Sequence, residues 1–153
     1  MNELKIQIQK DNYEDEKKPI DVISFYIDNK NLLDIIKDIE NPYAEKEGHP
    51  SLAGNYKGLK LKYTKRDYLL GIEDAIWGET DDKTAIYECS CGEPGCWPLV
   101  CKIIVTENTI IWKNFEQIHR NLDSENGEWN YGGLMFEFDK MQYMLEINNN
   151  LKN

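Results

Sequence analysis

The sequence predicts an α+β fold: a mostly antiparallel sheet of six or seven short strands with two helices, in a single domain over residues 1–153. Three observations carry that expectation. Short apolar runs with strand character cluster along the chain instead of alternating strictly with helices, which favours α+β over a doubly wound fold. Only two stretches show a helical apolar stripe. The length, 153 residues, suits one domain able to bury a sizeable core without disulfide staples.

Leu4, Ile6 and Ile8 alternate with Lys5, Gln7 and Gln9, the period-2 pattern of a half-buried strand. A charged linker closed by Pro19 leads to a continuous apolar run at 22–27, which suits a central strand. Leu32, Leu33, Ile35, Ile36 and Ile39 form a 3.6-period stripe, with Asn31 at the N-cap position. Pro42 is expected to end that helix. Residues 43–58 read as a loop, and 59–63 as a strand from the alternation of Leu59, Leu61 and Tyr63. Tyr68 to Leu70 is a short apolar piece before Gly71. A second polar loop spans 73–83, with Ile76 and Trp77 as an apolar island. Residues 84–87 read as a strand, and 99–105 with 110–112 as a hairpin about the turn 106–109. Residues 115–131 read as irregular, and 134–138 as a last strand. Asp139 and Gln142 make a capping box for a terminal helix whose expected buried face is Met141, Met144, Leu145 and Leu151.

Composition excludes several function classes. With 28 Asp+Glu against 18 Lys+Arg the formal net charge is −10, which argues against binding nucleic-acid phosphates or anionic membranes. No run approaches a membrane span, and the first residues lack a secretory pattern, so a cytoplasmic location is expected. The charge is uneven. Residues 71–93 hold seven acids (Glu73, Asp74, Glu79, Asp81, Asp82, Glu88, Glu93) against Lys83, a net −6. Residues 54–67 hold five bases against Asp67, a net +4. These read as solvated faces, or as an acidic docking surface for a basic protein partner. The second reading makes the chain an immunity-type inhibitor of a basic toxin or nuclease.

The segment from Glu88 to Cys101 carries the chemistry. Cys89 and Cys91 are two apart, and Gly92, Pro94 and Gly95 make a tight turn that brings Cys96 back beside Cys91. Three thiolates then converge. Zinc prefers four N or S ligands, so Cys101, His49 or His119 would complete the set. Three readings stand: turn-structuring thiols without metal, a structural zinc, or a redox pair of Cys91 and Cys96 acting as a thiol oxidoreductase. No cation lies between Glu88 and Val100, and Glu88 and Glu93 are expected to raise nearby thiol pKa values, against the redox reading. Cys101 is flanked by strand residues and reads equally as a small core hydrophobe.

The run Cys-x-Cys-Gly-x-x-Gly-Cys-Trp-Pro-Leu resembles the signature of a family of small, largely uncharacterised bacterial cytosolic proteins. Similar pieces follow in order across 52–145, including Leu52-Ala53-Gly54-x-Tyr56-x-Gly58-Leu59, Ile111-Trp112-x-x-Phe115-Glu116-Gln117-x-His119-Arg120 and Trp129-Asn130-Tyr131. The resemblance implies that the first three cysteines recur and the fourth does not. That shifts interest to His119 beside Cys89, Cys91 and Cys96 as the metal-ligand set. A proline commonly precedes that His-Arg pair in the family; here Ile118 stands there. No reaction comes with the resemblance.

Other candidates have ordinary readings beside the functional ones. His119-Arg120 is a metal ligand or anion contact, or else a loop hydrogen-bonding pair. Trp77, Trp97, Trp112 and Trp129 line a pocket, or anchor core and loops. Phosphate-loop and nucleophile-elbow motifs are absent, and two histidines leave little acid–base material. The sequence therefore leans away from an enzyme, toward a binding or interaction module with a structural cysteine turn.

Overall fold

The computed structural model describes residues 1–72, 76–77, 82–93 and 95–153. Among them nine strands form two antiparallel sheets. One takes the order β1 (Leu4–Asp11), β2 (Ile20–Ile27), β3 (Lys30–Asn31). The other runs β4 (Lys57–Gly58), β6 (Lys83–Glu88), β7 (Leu99–Val105), β8 (Thr109–Gln117), β9 (Phe136–Asp139), with β5 (Ile76–Trp77) also paired to β6. The two helices are α1 (Leu32–Lys46) and α2 (Lys140–Asn150). The α+β class is as expected. The division into two sheets is the addition.

The sheets meet where Val22 bridges Lys60 and Ile23 N–H donates to the Leu59 carbonyl at 2.9 Å. Gly58 permits this approach, because a Cβ there would stand 2.2 Å from the Ile23 carbonyl oxygen. Both sheets and both helices feed one apolar cluster that includes Leu4, Phe25, Leu32, Ile86, Trp112, Phe138 and Tyr143. Phe25 presents its edge to Trp112 at 5.2 Å. Such buried side chains contribute about 1.5–3 kcal/mol each over exposed ones.

Asn31 caps α1 as its sequence position predicts, its side chain accepting from Leu33 N–H at 3.0 Å. The helix does not stop at Pro42 but runs four residues further. Proline removes the hydrogen bond to the carbonyl four residues back, and that residue, Asp38, lies on the exposed face, so its carbonyl is not left unpaired in the core. Buried Glu40 and Ala44 hold the helix down on either side of the proline.

Residues 59–63 are not a strand. Leu61–Tyr63 and Arg66–Leu70 are 3-10 turns, as is Pro50–Leu52. Leu59 is buried but Tyr63 is 71% exposed, so the alternation has no common buried face. The expected loop at 73–83 lies mostly outside the described residues, as do Glu73, Asp74, Glu79 and Asp81 of the acidic segment.

Asp139 caps α2 by accepting from Gln142 N–H at 3.0 Å. The Gln142 side chain does not complete a capping box. It accepts from Leu4 N–H at 3.1 Å and donates to the Leu4 carbonyl at 2.7 Å. Glu146 accepts from Ile6 N–H at 2.7 Å. These contacts turn Tyr143 and Ile147 inward, leaving Met141 and Leu145 83% and 63% exposed. Leu151 is buried as expected, and Met144 is partly so. No helix among the described residues is long and apolar enough to cross a membrane.

Candidate metal centre

β6 and β7 are neighbours in the sheet, so the segment joining them must reverse direction in ten residues. Gly92 and Gly95 take φ +84° and +78°, a region where L side chains are strained, and the chain turns there. Gly92 N–H donates to the Cys89 carbonyl at 3.0 Å and Cys96 N–H to the Glu93 carbonyl at 3.3 Å. Pro94 lies outside the described residues. The outcome is the convergence that the spacing predicts: the sulfurs of Cys89, Cys91 and Cys96 lie within 4.8 Å of one another. Cys89 and Cys91 are half-buried and Cys96 is exposed. Three thiolates at about 2.3 Å from one ion stand about 3.8 Å apart in a tetrahedron, so a small inward movement suffices.

The thiols are unequal. The Cys91 thiol is held below its ordinary range, first by the Glu93 N–H donating to its sulfur and then by hydrogen bonds from Cys96 and Cys89. The repulsion expected from the Glu93 carboxylate is present but is the smallest influence on Cys91. Cys96 is pushed up to about 12, chiefly by its hydrogen bonds to Cys91 and Cys89. Cys101 is fully buried, stands outside the cluster, and its thiol is pushed well up by burial.

Two flanks hold the turn. On one, Glu14 N–H donates to the Ser90 carbonyl at 2.9 Å, and the Ser90 hydroxyl donates to the Glu14 carboxylate at 3.2 Å. Gly92 lies against Asp15 so closely that a Cβ would meet its carboxylate at 2.3 Å. On the other, His119 Nε2 lies 3.0 Å from the Gly95 carbonyl, and its ring stacks on Trp97 at 5.8 Å. A carbonyl only accepts, so that bond puts a proton on Nε2, and in the neutral ring the lone pair is then on Nδ1. His119 thus stands beside the turn but is not among the atoms gathered within 4.8 Å. His49 also lies outside that group, at the start of a 3-10 turn.

Behind His119 the packing is polar, and there Trp97 Nε1 is buried without a hydrogen-bond partner among the described residues. The Arg120 guanidinium lies over Trp97 at 5.1 Å and Trp129 at 5.7 Å, and its Nε donates to both Glu47 oxygens at 3.0 and 3.1 Å. Trp129 Nε1 donates to Glu47 at 2.7 Å. Gln117, with no exposed surface, donates to the Pro98 carbonyl and the Tyr56 hydroxyl, both at 3.2 Å, and accepts from His119 N–H. Tyr56 and Tyr131 in turn donate to Glu40 at 2.6 and 2.5 Å. Trp97 and Trp129 therefore serve the loop anchoring that is their ordinary reading, and Trp112 serves the core. The side chain of Trp77 lies outside the description.

Sequence reasoning missed Glu40 and Glu47. For Glu40 a signal existed: it lies four residues after Ile36 and four before Ala44, on the buried stripe of α1. For Glu47 there was none, because the helix was expected to end before it.

Comparison of the chain with protein-family models, curated proteins and solved structures gives no match.

Proposed function

We propose that this protein is a non-enzymatic binding module whose Cys89, Cys91 and Cys96 hold a structural zinc ion. The observation that supports this is the convergence of three sulfurs in a glycine turn fastened on both sides. Thiolates suit zinc and other soft ions, and a structural site takes four ligands. The fourth position belongs to His119 or to water. His119 reaches it by releasing the Gly95 carbonyl or by offering Nδ1. The ion would stiffen the turn that links residues 14–15 on one flank to the wall formed by Trp97, His119 and Arg120 on the other. Beside the turn, Arg120 is matched to Glu47, as structural groups are.

Metal analysis together with thiol titration tests this reading. Protein purified under reducing conditions should carry about one zinc per chain, and a chelator should make three thiols reactive while Cys101 stays protected. Cys89→Ser should lose the metal, and Cys101→Ser should retain it. Zinc well below one equivalent with all four thiols free overturns the proposal. So does a reversible Cys91–Cys96 disulfide that forms with zinc present, which would favour thiol exchange instead.

A further inference from the structure

A separate cleft opens beside the second sheet. β8 keeps β7 beside it as far as Gln117, but β9 pairs only with Thr109–Trp112. At Asn114 the backbone takes φ +55°, a conformation asparagine tolerates better than most residues. The two strands part there, and a cavity of about 470 Å³ lies between the second half of β8 and the segment 120–135. That size is within the usual ~300–1,000 Å³ of small-molecule sites.

The charges around the cleft are of two kinds. Lys83 and Glu116 pair at 2.8 Å with side chains only 14% and 10% exposed, and Arg120 is held by Glu47. Those groups are satisfied internally. Lys113 on β8 and Glu128 on the facing segment also line the cleft, and their side chains have no ion pair or hydrogen bond among the described residues. Apolar surface accompanies them: the side chains of Leu122 and Met135, 76% and 53% exposed, with the largely buried rings of Phe115 and Trp129 behind them.

We propose that this cleft binds a zwitterionic amino acid with an apolar or aromatic side chain. Its carboxylate would meet Lys113, its ammonium Glu128, and its side chain the apolar wall. The unsatisfied charges are one of each sign, and a ligand with only one charge leaves the other unmatched. A neutral zwitterion also escapes the repulsion that a chain of net charge −10 exerts on anions.

The test titrates the whole chain with L-phenylalanine, phenylacetate and phenethylamine, followed by amide chemical shifts of residues 113–135. L-phenylalanine should bind about tenfold more tightly than either single-charge analogue, as expected for one charge-assisted hydrogen bond gained. Lys113→Gln should weaken L-phenylalanine and phenylacetate and leave phenethylamine unchanged. Glu128→Gln should weaken L-phenylalanine and phenethylamine and leave phenylacetate unchanged. Equal binding of the three compounds, no shifts at about 10 mM L-phenylalanine, or variants that bind like the parent overturn the proposal. Loss of the zinc centre would show in metal content and leave these differences in place.

Discussion

Glu40 carries a carboxylate with no exposed surface, and it accepts from Gly54 N–H as well as from Tyr56 and Tyr131. Burial raises its pKa above the ordinary 4.5, and the three hydrogen bonds oppose the rise without cancelling it. The folded chain therefore holds the Glu40 proton at pH values where the unfolded chain has released it. Stability linked to this group falls as pH climbs from 4.5 through the raised value. Asp15, Glu16, Asp28 and Glu47 are shifted the other way, so their contribution is lost only as pH falls below the ordinary carboxylate range. Glu40→Gln keeps an acceptor and removes the charge. Urea midpoints at pH 5 and pH 8 should therefore differ less in the variant than in the parent. An equal or larger difference would mean that Glu40 is ionised as readily as an exposed glutamate.

Among the elements, the crossing of β4 over β2 has the least room. Gly58→Ala would set a methyl 2.2 Å from the Ile23 carbonyl, so either the sheets separate or β2 bends. Overpacking of this kind costs about 1–3 kcal/mol, which a lowered urea midpoint would report. A midpoint equal to the parent's would place the two sheets further apart. This crossing was not legible in the sequence, whereas features fixed within a few residues were. The caps at Asn31 and Asp139, the hairpin of β7 and β8, and the meeting of Cys89, Cys91 and Cys96 all depend on local spacing and turn residues. The end of α1 is not legible, because Pro42 is a strong local signal overruled by burial of Glu40 and Ala44 around it. The inward face of α2 escapes the sequence for a related reason: hydropathy marks Met141 and Leu145, while Gln142 and Glu146 accept hydrogen bonds from a strand about 140 residues away, and these set the rotation. Arg120 and Glu47 lie 73 residues apart, a pairing no periodicity announces.

At the scale of the molecule, both sheets share one core, with Phe25 of the first against Trp112 and Tyr87 of the second. Neither sheet has an apolar interior of its own, so the chain should unfold as a unit. Urea transitions followed by far-ultraviolet circular dichroism and by tryptophan emission should superimpose. Two separated transitions would show that the sheets fold independently. The Gln142 and Glu146 contacts on β1 have a consequence for how the chain is made. β1 borders its sheet, and a border strand offers its free amides to any other extended chain nearby. Here the amides of Leu4 and Ile6 are taken by side chains rather than by another strand. Those side chains leave the ribosome more than a hundred residues after the strand they seal. Until then a newly synthesised chain presents an open template, and a message cut short before Gln142 yields a product that never closes it.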